Sequence, residues 1–261
     1  MKASENENIR MKVLFQTICD QGAVRPNNED AIKHGFCNDK NIAWMVIADG
    51  MGGHNAGEVA SSLVVDEIEL AINALETSDS TDWLCWMEIE INRANNKIFN
   101  QAKNNPQQTG MGTTAVIAIV DRGTCYIGWV GDSRAYCYHS GDENALAQLT
   151  QDHTMIQALL DKGAITKKEA LRSNNKNMLS RAVGIKKGVE VETLSLPVVT
   201  HDIILLSTDG LHDSLEHLSL EKSIGLIGRG EQVAQNLVDE AVYNGSKDNI
   251  TFGSIFIESF A

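Results

Sequence analysis

Four apolar runs in this 261-residue chain meet an acidic residue where the run stops or starts. Ile47-Ala48-Asp49-Gly50, Trp129-Val130-Gly131-Asp132 and Leu206-Ser207-Thr208-Asp209-Gly210 end that way, and Lys247-Asp248-Asn249 precedes the apolar run 250–257. Runs of this length, rich in Val, Ile and Trp, read as buried strands. One such junction is an ordinary turn. Four predict sheets whose strand ends gather carboxylates at one edge. Crowded carboxylates repel, and they all stay ionised only beside a compensating cation. Oxygen donors alone select Mg2+ or Mn2+ over Zn2+, which takes His or Cys, and the seven histidines show no His-x-x-x-His spacing. The sharpest junction is Asp49, which closes the apolar run 43–48 and is followed by Gly50, Gly52 and Gly53. Those glycines permit a tight turn and close backbone approach.

The rest of the chain supplies the setting. A formal net charge of −13 argues against a nucleic-acid phosphate track or an anionic membrane surface as partner. Five cysteines without a Cys-x-x-Cys pair point to reduced thiols and a cytoplasmic protein. No apolar run approaches the roughly 18 residues of a membrane span. Residues 1–10 are polar and read as a flexible tail, and 11–261 as a single domain without repeats or linkers. Helical spacing of apolar residues marks 56–75, 83–103, 152–162 and 231–243. On the second of these, Trp83, Trp86 and Met87 read as core packing. Strands are expected at 13–19, 43–48, 113–120, 124–130, 135–139, 189–199, 202–207 and 250–257. Thr166 with Glu169 is a capping box that opens a short helix. Antiparallel strand sets with helices in pairs favour a layered α/β sandwich over βαβ units.

Seven motifs also stand in a telling order: Arg25-Pro-Asn-Asn28-Glu29-Asp30, Asp49-Gly50-Met51-Gly52-Gly53, Met111-Gly112-Thr113-Thr114, Gly131-Asp132-Ser133-Arg134, Leu179-Ser-Arg181-Ala-Val-Gly184, Ser207-Thr208-Asp209-Gly210 and Asp248-Asn249-Ile250-Thr251. In that order they resemble the bacterial branch of the protein phosphatase 2C family, the metal-dependent serine/threonine phosphatases, over about residues 15–257. The resemblance implies an α+β fold, a four-layer α-β-β-α sandwich of two antiparallel sheets flanked by pairs of helices. It implies hydrolysis of phosphoserine and phosphothreonine on proteins by a metal-activated water, without a phosphoenzyme. Two Mn2+ or Mg2+ ions and a possible third go with it. By position, Asp49 bridges the two ions, the Gly50 carbonyl binds one, and Asp209 and Asp248 bind the other. Asp132 with Asp209 matches the third, looser site. Glu29 and Asp30 match residues that orient water, and Arg25 the residue that holds the phosphate. Residues 155–177 match a variable flap beside the site. Phosphoproteins are the implied substrates, a cognate serine/threonine kinase the implied opponent, and a monomer the expected state.

One position departs from eukaryotic relatives, where a proposed leaving-group acid, His, follows the metal-binding Asp-Gly. Here Met51 stands there and has no proton to donate. The candidates that remain are His54, which a plainer reading leaves as a bystander in the glycine turn, and water. Two rival functions are carried. Cys19-Asp-Gln-Gly22-Ala-Val-Arg25 fits the Cys-x-x-Gly-x-x-Arg phosphate loop of cysteine-dependent phosphatases, although Glu29 and Asp30 then crowd the phosphate dianion. The other rival is a catalytically silent binding module on a phosphatase fold.

Overall fold

Strand β3 (Ile42–Met51) shows why these residues form this architecture. Successive side chains of a strand point to opposite faces. Ala43, Met45 and Ile47 enter one apolar cluster, while Trp44, Val46 and Ala48 enter another. Both faces of the sheet are therefore covered, and the sequence reads as an unbroken apolar run. In this computed structural model, residues 10–52, 56–75, 81–142, 145–170 and 178–260 are described. Residues 1–9 of the expected tail, His54 and residues 171–177 of the expected flap lie outside them.

The chain runs β1 (Met11–Asp20), β2 (Asp30–Cys37), β3, α1 (Ala56–Asn73), α2 (Trp83–Asn104), β4 (Gly112–Thr113), β5 (Ala115–Asp121), β6 (Thr124–Val130), β7 (Arg134–Tyr138) and β8 (Leu146–Gln148). It continues through α3 (Met155–Asp161), α4 (Lys167–Ala170), β9 (Glu192–Pro197), β10 (Ile203–Ser207), α5 (Asp209–His212), α6 (His217–Ile227), α7 (Ala234–Tyr243) and β11 (Ile250–Phe260). One sheet has the order β1-β11-β10-β7-β8 and the other β2-β3-β5-β6-β9, with β4 paired to β3. Every pairing in both is antiparallel.

Three apolar clusters make this a four-layer α-β-β-α sandwich. Val64, Ile68, Met87 and Ile91 of α1 and α2 pack on the outer face of the β3 sheet. Met45, Val116, Ile204 and Ile255 fill the space between the sheets. Leu220, Ile224, Leu237 and Phe252 join α6 and α7 to the outer face of the β10 sheet. Trp83 and Met87 are buried as expected, and Trp86 sets its ring edge against Trp83 at 5.5 Å. No helix among the described residues is long and apolar enough to cross a membrane.

Several elements differ from the sequence expectation. Strand β2 has no counterpart in it, because this edge strand lacks a clean alternation and carries Gly35 at its centre. A Cβ on Gly35 would lie 2.8 Å from the Trp44 indole nitrogen, so the missing side chain makes room for that ring. Helix α6 was equally silent: Glu216 offers no side-chain cap, and Gly225 interrupts it where a Cβ would meet the Tyr138 hydroxyl at 2.8 Å. The capping box is present, with Thr166 N–H donating to Glu169 Oε2 (2.8 Å) and Glu169 N–H to Thr166 Oγ1 (3.3 Å).

Helix α2 begins at a cap that invites a test. The Asp82 carboxylate accepts from the Cys85 N–H at 3.2 Å. Asp82→Ala is expected to cost about 1 kcal/mol, read as a lower urea midpoint with an unchanged slope, and Asp82→Asn much less. An unchanged midpoint in the alanine variant would show that the cap contributes nothing.

Candidate active site

The strand ends converge on one cavity of about 750 Å3. Arg25, Glu29, Asp49, Gly50, Met51, Asp132, Asp209 and Asp248 line it, with Thr114, Arg181, Ile185 and Lys186 among the other wall residues. Each sheet delivers part of the set. Asp49 lies near the end of β3, and Asp132 follows β6 in the second sheet. Asp209 follows β10, and Asp248 precedes β11 in the first.

The backbone around Asp49 is clamped from the neighbouring strand. Its N–H donates to Thr114 Oγ1 (2.9 Å), and its carbonyl accepts from Thr114 N–H and Thr113 Oγ1 (both 2.9 Å). Gly50 is squeezed between two backbones. Its N–H donates to the Glu29 carbonyl at 3.0 Å, and a Cβ there would stand 2.2 Å from the Gly57 carbonyl oxygen of α1 and 2.4 Å from that of Glu29. Only glycine fits.

Asn249 performs a similar service for the segment 21–30. Its side-chain amide donates to the Gln21 and Asn27 carbonyls (2.8 and 2.9 Å) and accepts from the Glu29 N–H (2.9 Å). Arg25 is thereby brought over the cavity, where its Nη2 meets Asp248 Oδ2 at 2.7 Å.

Asp30 does not stand on the wall. It sits opposite Asp49 in the β2–β3 ladder and is buried behind it, its Oδ2 accepting from the hydroxyls of Thr208 (2.9 Å) and Thr251 (2.6 Å). Asp132 is held differently: the preceding Gly131 exchanges two hydrogen bonds with His153, N–H to Nδ1 (3.1 Å) and carbonyl to N–H (2.9 Å).

These acids suffer one another. Burial, and then the charges of Asp30 and Asp209, hold the Asp49 carboxyl well above the usual carboxylate range. Burial pushes Asp132 and Asp30 up to about 7. Burial followed by the charge of Asp248 takes Asp209 to about 6. Glu29 is raised as well, chiefly by burial. Arg25 offsets part of this repulsion, its charge acting to lower the Asp209 and Glu29 carboxyls. The oxygen donors of Asp49, Asp132, Asp209, Asp248 and the Gly50 backbone fit hard divalent cations; no thiol or imidazole stands among the described wall residues, and the Met51 thioether there is a soft donor that such ions do not favour.

Some placements bear on the rivals. Cys19 is on a strand, not at a helix start, and is absent from the described cavity wall. Loss of hydration around the sulfur raises its thiol pKa even though the residue is exposed at the surface, the reverse of what a nucleophilic thiolate needs. Met51 does line the cavity. The polar residues that position the acids, Thr114, Thr208, Asn249 and Thr251, have no assigned part in the sequence reading. Their signal was their place inside the motifs.

The sequence profile of the Protein phosphatase 2C family matches residues 25–242. Serine/threonine phosphatase stp of Listeria welshimeri is 37% identical over 246 residues, covering 92% of this chain and 94% of its own. The crystal structure of serine/threonine phosphatase Stp1 from Staphylococcus aureus superposes with a TM-score of 0.85 at 32% identity, covering 99% of this chain and 100% of that one. The catalytic domain of the serine/threonine phosphatase PstP, solved in complex with two manganese ions, gives a TM-score of 0.78 at 29% identity, covering 95% of this chain and 99% of that one.

Proposed function

The chain belongs to the protein phosphatase 2C family of metal-dependent serine/threonine phosphatases, and on that premise we propose how its own residues divide the work. Asp49 and the Gly50 carbonyl, with Asp209 and Asp248, would hold two Mn2+ or Mg2+ ions. Asp132 with Asp209 would hold a third. When bound, the ions screen a phosphate dianion and lower the pKa of a water that serves as nucleophile. The observation that carries this reading is the convergence of Glu29, four aspartates and the Arg25 guanidinium on a single cavity.

Arg25 receives the substrate phosphate. Its contact with Asp248 fixes one end of the planar fork at the wall, and the fork offers paired donors to two phosphate oxygens. Glu29 orients water from the wall. Asp30 acts from behind it, with Oδ2 occupied by two threonine hydroxyls. Met51 cannot protonate the departing serine or threonine oxygen, and no histidine stands among the described wall residues, so solvent water is the donor we assign.

The substrates are phosphoproteins, opposed by a cognate serine/threonine kinase, and the chain works as a cytoplasmic monomer whose residues 11–261 form one catalytic domain. Chelation tests the chemistry. EDTA should abolish hydrolysis of p-nitrophenyl phosphate and of a phosphothreonine peptide, Mn2+ should restore both, and iodoacetamide should spare them. Activity that survives EDTA and dies on alkylation of Cys19 would move the reaction to the thiol. No Mn2+-dependent turnover at all would favour the silent module.

A further inference from the structure

Strand β7, which starts just after Asp132, and strand β10, which runs into Asp209, hold a different cluster at their other ends. Cys137 lies on β7 and His139 two residues on, so their side chains share a face. Ile203 of β10 pairs with Tyr138, which places Asp202, just before that strand, beside His139. With about 3.3 Å per strand residue, this end lies roughly 20 Å along β10 from Asp209.

His139 Nδ1 is 3.0 Å from Asp202 Oδ1 and 3.9 Å from Cys137 Sγ. One donor atom from each of the three residues lies within 4.8 Å of the others. The trio is not a nucleophile–base–acid relay. Cys137 Sγ is 3.5 Å from Nε2 and only slightly farther from Nδ1, so the thiol lies against the ring and not on the axis of one nitrogen lone pair. It is also fully buried, and burial pushes its thiol up to about 12.

We propose that Cys137, His139 and Asp202 form a second metal site, chemically distinct from the oxygen-donor cavity and suited to Zn2+. Sulfur, imidazole and carboxylate donors are the set this borderline ion takes. Zinc bonds of about 2.0–2.3 Å in tetrahedral array space donor pairs about 3.3–3.8 Å apart; the nitrogen–oxygen pair at 3.0 Å is near that span, and Sγ, which lies nearer Nε2 than Nδ1, comes within it once the imidazole turns its Nδ1 edge toward the thiol.

Charge supports the same occupant. The Asp202 side chain is only 3% exposed, and among the described residues its ion pair is with His139 alone, with no lysine or arginine. A divalent cation with one carboxylate and one thiolate is neutral overall, which suits a buried place. Asp202 Oδ2 accepts the Val199 N–H at 2.8 Å, a bond that orients the carboxylate from outside the ligand set. His139, 38% exposed, provides the way in and a side on which water completes the fourth position. On binding, the metal–sulfur bond replaces the Cys137 S–H bond and the proton leaves to solvent. The imidazole binds neutral through Nδ1, with its proton on Nε2.

The test uses Co2+ as a spectroscopic stand-in for Zn2+, added to the full chain after chelator treatment. A thiolate-to-cobalt charge-transfer band in the near ultraviolet is expected, because the oxygen donors of the cavity cannot produce one. Cys137→Ser should remove the band, and His139→Ala should weaken Co2+ binding at this site by about tenfold or more. Asp209→Asn and Cys19→Ser should retain it. Absence of the band in the unaltered chain, or its survival in Cys137→Ser, overturns the proposal. Should Cys137→Ser fail to fold, the partly exposed His139→Ala decides alone, and an undiminished band there is equally fatal.

Discussion

Asp49→Asn is expected to lower kcat/KM for p-nitrophenyl phosphate with Mn2+ by about a hundredfold or more, and at the same time to stabilise the metal-free chain. The two signs follow from one fact. The Asp49 carboxylate is buried among Asp30, Asp209, Asp132 and Asp248, and without a cation that environment opposes its ionisation. Asparagine keeps the shape and deletes the charge, so repulsion within the cluster falls. The backbone clamp from Thr113 and Thr114 does not involve the carboxylate and stays in place. With Mn2+ present, the variant lacks the negative charge of a residue that would hold the ions. A folding defect would lower activity and stability together. Thermal melts in EDTA beside steady-state kinetics in Mn2+ therefore separate the cases. Activity within threefold of the unaltered chain, or a lower melting temperature in EDTA, would remove Asp49 from the centre of the site.

The parts of the fold that the sequence displays are those where a single physical demand acts on every residue of a segment. Strand β3 is legible because both its faces are dry, so nothing polar interrupts it until Asp49. Helix α1 is legible because only one stripe of it meets the sheet. Strand β2 answers to several demands at once: it is an edge, it must admit the Trp44 ring at Gly35, and it delivers Asp30 to a position opposite Asp49. No single period survives that mixture. In the candidate site, the acidic junctions are visible as motifs, but depth is not. That Asp30 sits behind the wall depends on hydroxyls from Thr208 and Thr251, residues 178 and 221 positions away. The Cys137–His139–Asp202 cluster is hidden for the same reason, since 63 positions separate His139 from Asp202 and only the β7–β10 register joins them.

The metal-free chain is expected to lose stability as pH rises from about 4 to about 7, and Mn2+ to restore it most at the alkaline end. In the unfolded chain the aspartates titrate near 3.8, whereas in the folded chain burial takes Asp132 and Asp30 to about 7 and Asp209 to about 6. Between those limits the folded state holds protons that the unfolded state has released. The slope of unfolding free energy with pH is then negative. The favourable contribution is complete below about 4 and gone once pH has passed the folded values. The gap between 3.8 and about 7 for Asp132 alone sets a scale of about 4 kcal/mol. The formal net charge of −13 also disfavours the folded chain as pH rises, so the melting temperature without metal is not sufficient evidence by itself. The discriminating quantity is the increment that Mn2+ adds. An ion held by these carboxylates must displace their protons at about pH 5 and meets them already ionised at about pH 8, so its increment should grow between the two. Asp209→Asn should flatten that growth, because one of the proposed ligands has been neutralised. An equal Mn2+ increment at both pH values, or metal-free stability that climbs over the same range, would place the cation somewhere other than among these acids.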